Sequence, residues 1–223
     1  RSAPAAAAPA ATPPPSLPYV LDVAGGKGDV GIPLRMAGVP CGIVDPRVVD
    51  LRATKLMKNI AFHLSRPGTK TGDALRAKLP PEHHAEPPLP DVYPEWFTAA
   101  TAGGEGESEA LAAAKARCDL VVGMHPDQAT EPIVDFALAS GKPFAVVPCC
   151  VFPKENRHRR VAAATSDAES SSAEQGEKRA RAEERTAEAP SPPPPRMVAV
   201  ETHEQFVRYL AAKVPPSGAI EVA

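Results

Sequence analysis

Residues 19–31 read YVLDVAGGKGDVG, from Tyr19 to Gly31. The first five residues favour a buried β-strand, and glycine then occupies three of the four positions from 25 to 28. A buried strand that ends in a glycine-rich loop is typical of a ligand-binding turn. Glycines let the backbone approach a ligand closely, and the amides at the start of a following helix offer hydrogen-bond donors. The stretch therefore predicts a pocket for a nucleotide-like cofactor.

The composition limits the rest of the chain. It has 223 residues, 43% of them apolar, and a formal net charge of -2, but it also has 28 prolines and only 4% aromatic residues. These values favour one α/β domain of ordinary size accompanied by loosely packed segments. Four cysteines do not form the framework of a secreted disulfide-rich protein, and no run reaches the roughly 18 apolar residues of a membrane span. We therefore expect a protein of a reducing intracellular compartment, without a membrane partner.

Composition shifts divide the chain into four parts. Residues 1–16 form an Ala/Pro tract that we expect to be a disordered linker, and residues 17–160 form the folded domain. A proline-dense, loop-rich insertion lies at about 63–104 within that domain, and no third strand is predicted there. Residues 161–196 are of low complexity and predict a disordered insertion. A C-terminal strand and helix at 197–223 complete the same domain.

Besides the C-terminal strand and the strand that precedes the glycine loop, three further strands are predicted. They span 39–44, 119–124 and 143–147, and helices at 29–37, 46–62, 107–117, 130–140 and 204–213 alternate with them. Strand, helix and strand joined by short connections favour parallel pairing with right-handed crossovers. The pattern predicts an α/β fold with a Rossmann-like, doubly wound and mostly parallel sheet, partial or divergent and interrupted by disordered insertions.

Carboxylates stand at the ends of two successive predicted strands, Asp22 in the first and Asp45 directly after the second. Ligands of such sheets lie at the carboxyl edge of the strands, so Asp45 is placed to accept hydrogen bonds from the hydroxyls of a cofactor ribose. The alternative is that Asp45 caps the next helix, with Pro46 in its first turn. We favour the ribose role because Asp22 and the glycine loop accompany it.

Two cofactors compete for the glycine loop. Gly26, Gly28 and Gly31 fit the G-x-G-x-x-G pattern of dinucleotide-binding proteins. However, a carboxylate at Asp22 would face a bound pyrophosphate, whereas S-adenosylmethionine carries a sulfonium and an ammonium group and no phosphate. Asp22, Gly26 and Gly28 also match the D-x-G-x-G-x-G motif, with Ala24 at its first glycine, so the sequence resembles class I S-adenosylmethionine-dependent methyltransferases. The resemblance implies a cofactor site made of Asp22, Ala24, Gly25, Gly26, Gly28, Asp45 and Pro46.

Two polar loops later in the chain extend the resemblance. His125-Pro126-Asp127-Gln128 follows one predicted strand, and Pro148-Cys149-Cys150 follows the next. The chain here is similar to a paired-cysteine subgroup of methyltransferase domains that includes eukaryotic tRNA 2′-O-methyltransferases. The resemblance covers residues 19–62 and 118–153 and implies a methyltransferase that acts on RNA, with tRNA as the leading substrate. The Asn/Asp-Pro-Pro-aromatic loop of base N-methyltransferases is absent, and no Lys-Asp-Lys-Glu set is recognisable.

Three chemistries are open to the candidate catalytic residues His125, Asp127, Cys149 and Cys150. His125 or Asp127 could act as a general base or orient the methyl acceptor. One of the cysteines could instead attack a pyrimidine ring, as in the RNA carbon-5 methyltransferases. A zinc site made of His125 and both cysteines is the least favoured, because adjacent cysteines do not easily ligate one ion. The sequence thus predicts no metal, and the cysteines are expected to shape the pocket.

A basic cluster follows the paired cysteines and is the main sequence feature that favours a nucleic-acid partner. It concentrates cations beside the predicted site, whereas the net charge of the whole chain gives no such indication. The predicted RNA contacts are Lys154, Arg157, Arg159 and Arg160. The aromatic pair Trp96 and Phe97 is expected to anchor the proline-dense insertion onto the core.

Overall fold

A computed structural model of the chain describes residues 17–164, 195–215 and 217–219. The predicted linker at 1–16 and most of the predicted low-complexity insertion lie outside these residues.

The predicted parallel sheet is confirmed. Its five strands lie in the order β3-β2-β1-β4-β5, and every neighbouring pair is parallel. The strands are β1 Val20–Val23, β2 Cys41–Val44, β3 Asp91–Tyr93, β4 Leu120–Met124 and β5 Phe144–Val147. β1 is buried throughout and lies between β2 and β4, so the loop that follows it lies near the middle of the carboxyl edge.

Helices cover both faces of the sheet, as expected for a Rossmann-like α/β fold. They are α1 Gly31–Met36, α2 Lys55–Leu64, α3 Lys70–Arg76, α4 Ala99–Ala102, α5 Glu109–Arg117, α6 Thr130–Ala139 and α7 His203–Ala212. Successive residues of β2 point to opposite faces: Ile43 joins a core with α1 and α2, whereas Val44 joins a core with α5 and α6. Two hydrophobic layers therefore hold the sheet between them.

The structure adds a strand that the sequence did not predict. β3 is three residues long and lies between Pro90 and Pro94, and only Tyr93 of the three is buried. Its partner β2 fixes it in parallel register, and Asp45 donates its backbone N–H to the Tyr93 carbonyl at 3.1 Å. The insertion at 63–104 thus supplies one edge of the sheet.

The predicted helix at 46–62 is shorter in the structure and begins later. Asp50 accepts hydrogen bonds from the amides of Arg52 and Ala53 and starts a short 3₁₀ turn at Leu51–Ala53. Thr54 then caps α2 by accepting from the Met57 amide at 3.3 Å. Two successive side-chain caps place the helix start at Lys55 and leave residues 46–50 as a loop beside the glycine turn.

Of the aromatic pair expected to pack the insertion onto the core, only Phe97 does so. Phe97 is buried and packs edge-on against Phe136 at 5.8 Å between ring centroids. Trp96 was expected to join it, but 68% of its surface is exposed. Trp96 therefore contributes little to the core.

The C-terminal segment is attached to the sheet domain through α6. β6 Arg160–Ala162 pairs with β7 Met197–Ala199 in antiparallel register, and α7 follows with Thr202 as its capping residue. Phe206 of α7 is fully buried in a core shared with Val134 of α6. Glu131, also on α6, accepts from Arg159 Nε at 2.7 Å and from the Tyr209 hydroxyl at 2.6 Å, and it pairs with Lys213. Burial and ion pairing therefore both hold this segment in place.

No helix within the described residues is long and apolar enough to cross a membrane.

Candidate functional site

A cleft of about 830 Å³ opens at the carboxyl edge of the sheet. Its walls come from the loops that follow β1, β2, β3, β4 and β5. Its lining includes Ala24, Asp45, Arg47, Phe97, Asp127 and Phe152. In open α/β sheets this edge is where ligands bind, so the cleft is the candidate functional site.

Backbone strain is concentrated around the cleft. Ala24, His125, Asp127 and Phe152 are the described non-glycine residues with positive φ, at 58°, 53°, 47° and 50°. Each such conformation costs about 1–3 kcal/mol and persists only where the surrounding structure enforces it. Three of these four residues line the cleft, the exception being His125. The strain gives these loops a defined shape, which is a common feature of binding sites.

Asp22 lies beneath the glycine loop and does not line the cleft. Its side chain is fully buried, and Oδ2 accepts the Gly31 amide at 3.1 Å, while Oδ1 has no hydrogen-bond partner in the structure. Burial raises the pKa of this carboxyl to about 7. A Cβ at Gly25 would approach Asp22 Oδ2 to 2.5 Å, so glycine is required where the loop crosses the carboxylate. Asp22 therefore supports the loop, and a direct contact with the cofactor is not part of this geometry.

Asp45 joins the loops after β1 and β2. Its Oδ2 accepts the Gly26 amide at 3.0 Å, and its Oδ1 accepts the Arg47 amide at 3.0 Å. The Arg47 guanidinium hydrogen-bonds both oxygens and holds the pKa of Asp45 below its usual value. No helix begins at Asp45, so the alternative helix-capping role is wrong. Pro46 also lines the cleft, while Gly26 and Gly28 take the left-handed turns that shape the loop.

The structure brings three of the four predicted catalytic residues together. Cys149 Sγ donates to Asp127 Oδ1 at 3.2 Å, and one ligand atom from each of Asp127, Cys149 and Cys150 lies within 4.8 Å of the others. Burial, together with the hydrogen bond to Asp127, raises the pKa of the Cys149 thiol to about 11. A thiol with this pKa is protonated at neutral pH, which disfavours a nucleophilic role.

His125 is exposed and stands apart from this group. Its backbone amide donates to the Val147 carbonyl at 3.0 Å, which ties the loop after β4 to the end of β5. Its ring forms no hydrogen bond to any residue within the described ranges. Asp127 is thus the predicted catalytic residue that both lines the cleft and contacts the cysteines.

One of the four residues of the predicted basic cluster is buried. Arg159 is 4% exposed, and its guanidinium binds Glu131 and the Val151 carbonyl, so its proposed contact with RNA is wrong. Lys154, Arg157 and Arg160 remain exposed. The cluster therefore presents three cations near the cleft, where Glu155 and Asn156 form part of the lining.

Sequence reasoning gave no role in the site to Arg47 or Phe152. Arg47 lies two residues after the predicted ribose ligand, a spacing that allows it to fold back onto the carboxylate. Phe152 lines the cleft with its backbone in the left-handed region, at a φ of 50°. Because residues other than glycine rarely adopt this conformation, the sequence does not indicate it.

The structure defines a Rossmann-like α/β protein with a cleft at the carboxyl edge of its sheet. Comparisons with protein-family models, curated proteins and solved structures gave no match.

Proposed function

We propose that this chain binds S-adenosylmethionine in the cleft and transfers its methyl group to RNA, with tRNA as the leading substrate. The observation that carries the proposal is that Ala24, Asp45 and Asp127 line one cleft, although they follow three different strands. These loops meet beside the glycine turn, so a cofactor held by the first two would lie close to the third. This arrangement is consistent with a cofactor bound next to Asp127, whose carboxylate could face the methyl acceptor.

Each part of the cleft has a chemical role in this proposal. Asp45 would accept hydrogen bonds from the ribose hydroxyls, and apolar side chains such as Phe97 and Pro132 would contact the adenine ring. The acceptor atom would attack the methyl carbon while the carbon–sulfur bond breaks and its electron pair stays on sulfur. Asp127 would orient the acceptor or take its proton, and methyl transfer requires little beyond such alignment.

The structure removes one argument against a dinucleotide. Asp22 was expected to repel a pyrophosphate, but its carboxyl is buried below the loop and does not face the cleft. Arg47, with 69% of its side chain exposed, offers a cation that a phosphate could bind. A dinucleotide-dependent oxidoreductase is therefore the second candidate. A binding module that retains the cleft without catalysis is the third.

Calorimetry on the full chain separates these candidates. Titration with S-adenosylhomocysteine, NAD and NADP should give saturable binding of the first alone if the proposal is correct. Asp45→Asn should weaken that binding, whereas Asp50→Asn should not, because Asp50 caps the 3₁₀ turn and does not line the cleft. Preferential binding of NAD or NADP would establish the second candidate, and binding without methyl transfer to any RNA would support the third.

The RNA substrate requires its own test. Transfer of labelled methyl groups to a tRNA pool should fall in the triple variant Lys154→Ala/Arg157→Ala/Arg160→Ala, with unchanged affinity for S-adenosylhomocysteine. Removing three phosphate contacts should also reduce the slope of log affinity against log salt by about 3. A matched change of the exposed Lys55, Lys58 and Lys78 serves as the control. Equal losses of methyl transfer in both triple variants would show only a nonspecific effect of charge.

A further inference from the structure

The cluster of Asp127, Cys149 and Cys150 has the composition of a metal site. Two sulfurs and one carboxylate oxygen lie within 4.8 Å of one another. Two thiolates with one carboxylate suit Zn²⁺ and similar soft or borderline cations, whereas Mg²⁺ and Ca²⁺ prefer oxygen ligands alone. The chemistry of the donor set therefore selects a narrow class of ions.

The adjacency of the cysteines does not prevent this arrangement. Zn–S bonds of about 2.3 Å in a tetrahedral site place two sulfur ligands about 3.8 Å apart. The upper limit of 4.8 Å on the observed separations leaves only a small movement for the three atoms to converge. Both cysteines are partly exposed and Asp127 is exposed, so an ion could reach them from solvent.

Existing contacts hold the ligands near this geometry. The hydrogen bond of 3.2 Å from Cys149 Sγ to Asp127 Oδ1 links two of them. A backbone hydrogen bond from His125 to Val147 joins the loops that carry them, after β4 and β5. On binding, the two thiols would release their protons to solvent and ligate the metal as thiolates, and the new Zn–S bonds would compensate for the lost thiol–carboxylate hydrogen bond.

We propose that Asp127, Cys149 and Cys150 bind one Zn²⁺ ion at the wall of the cleft. Three protein ligands leave a coordination position open, as in zinc sites that hold a water or a substrate group. Asp127 lines the cleft, so the ion would lie beside whatever the cleft binds. His125 is not a ligand, which distinguishes this site from the His-Cys-Cys alternative considered from the sequence. The inference stands independently of which cofactor occupies the cleft.

Metal titration of the reduced, chelator-stripped full chain tests the proposal. Cd²⁺, used as a spectroscopic substitute, should produce a sulfur-to-metal charge-transfer band that saturates at one equivalent. Zn²⁺ affinity, measured by competition with a chromogenic chelator, should fall about tenfold or more in Asp127→Asn, Cys149→Ser and Cys150→Ser. The band should fall to roughly half in either cysteine variant, since one of two thiolates is removed. Glu155→Gln and His125→Ala should change neither quantity.

Two results of the titrations would reject the proposed site. The first is wild-type affinity no greater than that of the double variant Cys149→Ser/Cys150→Ser. The second is a loss in Glu155→Gln or His125→Ala as large as that in Asp127→Asn. A further measurement uses the wild type alone and so does not depend on whether the variants fold. Zn²⁺ should protect Cys149 and Cys150 from alkylation, as measured by mass spectrometry. Unchanged alkylation of this pair in saturating Zn²⁺ would also reject the proposal.

Discussion

Arg47 binds Asp45 through two parallel hydrogen bonds, from Nε to Oδ1 at 2.9 Å and from Nη2 to Oδ2 at 2.8 Å. The carboxylate predicted to bind a ribose is therefore already engaged by a side chain of its own loop. The two partners differ in exposure, with 69% of the Arg47 side chain and 3% of the Asp45 side chain accessible. Arg47 can consequently leave while Asp45 stays, and a ribose must displace the guanidinium or bind beside it.

Asp45→Ala should weaken the binding of S-adenosylhomocysteine by about 1.5–3 kcal/mol, the range for hydrogen bonds to a charged group. Isothermal titration calorimetry measures the change, and thermal unfolding verifies that the variant is folded. Arg47→Ala is the matched variant, and it should leave affinity unchanged or raise it by up to about 1 kcal/mol, because an exposed ion pair contributes little. Unchanged affinity in Asp45→Ala would reject the ribose role.

Glu131→Gln should reduce the free energy of unfolding by about 3 kcal/mol or more, because it leaves the buried Arg159 guanidinium without its anionic partner. Urea denaturation measures the loss. Asp135→Asn is the control: Asp135 pairs with the same Lys213 but is 49% exposed, so its loss should stay within about 1 kcal/mol. Similar losses in both variants would contradict the central role of Glu131.

The same carboxylate predicts acid sensitivity. Burial alone would raise the pKa of Glu131, but hydrogen bonds from Lys213, Tyr209 and Arg159 outweigh it and lower the pKa from 4.5 to about 2. The folded state therefore favours the ionised form, and this stabilisation is present above pH 4.5 and is lost as the pH falls towards 2. The wild type should lose more stability than Glu131→Gln over this interval, as measured by urea denaturation at each pH.

Asp22 should have the opposite effect in a different pH window. Burial raises its pKa from 3.8 to about 7, so between these values the folded state binds more protons than the unfolded state. The wild type should lose stability as the pH rises from about 4 through 7, by an amount on the order of a few kcal/mol. Asp22→Asn should flatten this slope, whereas Glu82→Gln, at an exposed carboxylate, should not. If stability depended on pH as steeply in Asp22→Asn as in the wild type, the raised pKa of Asp22 would not be the cause of the slope.

Cys149 should react slowly with iodoacetamide at neutral pH, because burial and the hydrogen bond to Asp127 raise its pKa to about 11. Asp127→Asn should speed the reaction by removing the negative charge beside the thiol. Mass spectrometry of the Cys150→Ser background assigns the rate to Cys149. A 5-fluoropyrimidine RNA should form no covalent adduct with the wild type, and an adduct band on a denaturing gel that disappears in Cys149→Ser would reverse this conclusion.

The sequence predicted the parts of the fold that local patterns specify. β1, β2, β4 and β5 are apolar runs with clear ends, and the topology rule for parallel strands placed Ala24, Asp45 and Asp127 at one edge. β3 was missed because its three residues include one buried side chain and gain their register from β2. A strand that depends on its neighbour leaves little periodic signal of its own.

Long-range pairing explains the remaining errors in the site. The basic neighbours of Arg159 in the sequence indicate a surface cation, but its partner Glu131 lies 28 residues away in the sequence, on α6. Likewise, no local pattern indicates that the Asp127 carboxylate lies beside Cys149, 22 residues later. Sequence reasoning found the residue types that gather at the cleft, and the packing of the loops determined which of them contact each other.

The pairing of β6 with β7 brings together two residues that are distant in the sequence, Ala163 and Arg196. The Ala163 amide donates to the Arg196 carbonyl at 2.8 Å, so the two ends of the connection between β6 and β7 are one hydrogen bond apart. Doubling the length of a flexible connection between two such points costs only about 0.6 kcal/mol of closure entropy. A flexible segment, or a foreign domain on flexible linkers, inserted between β6 and β7 should therefore cost little stability and leave the sheet and its cleft unchanged.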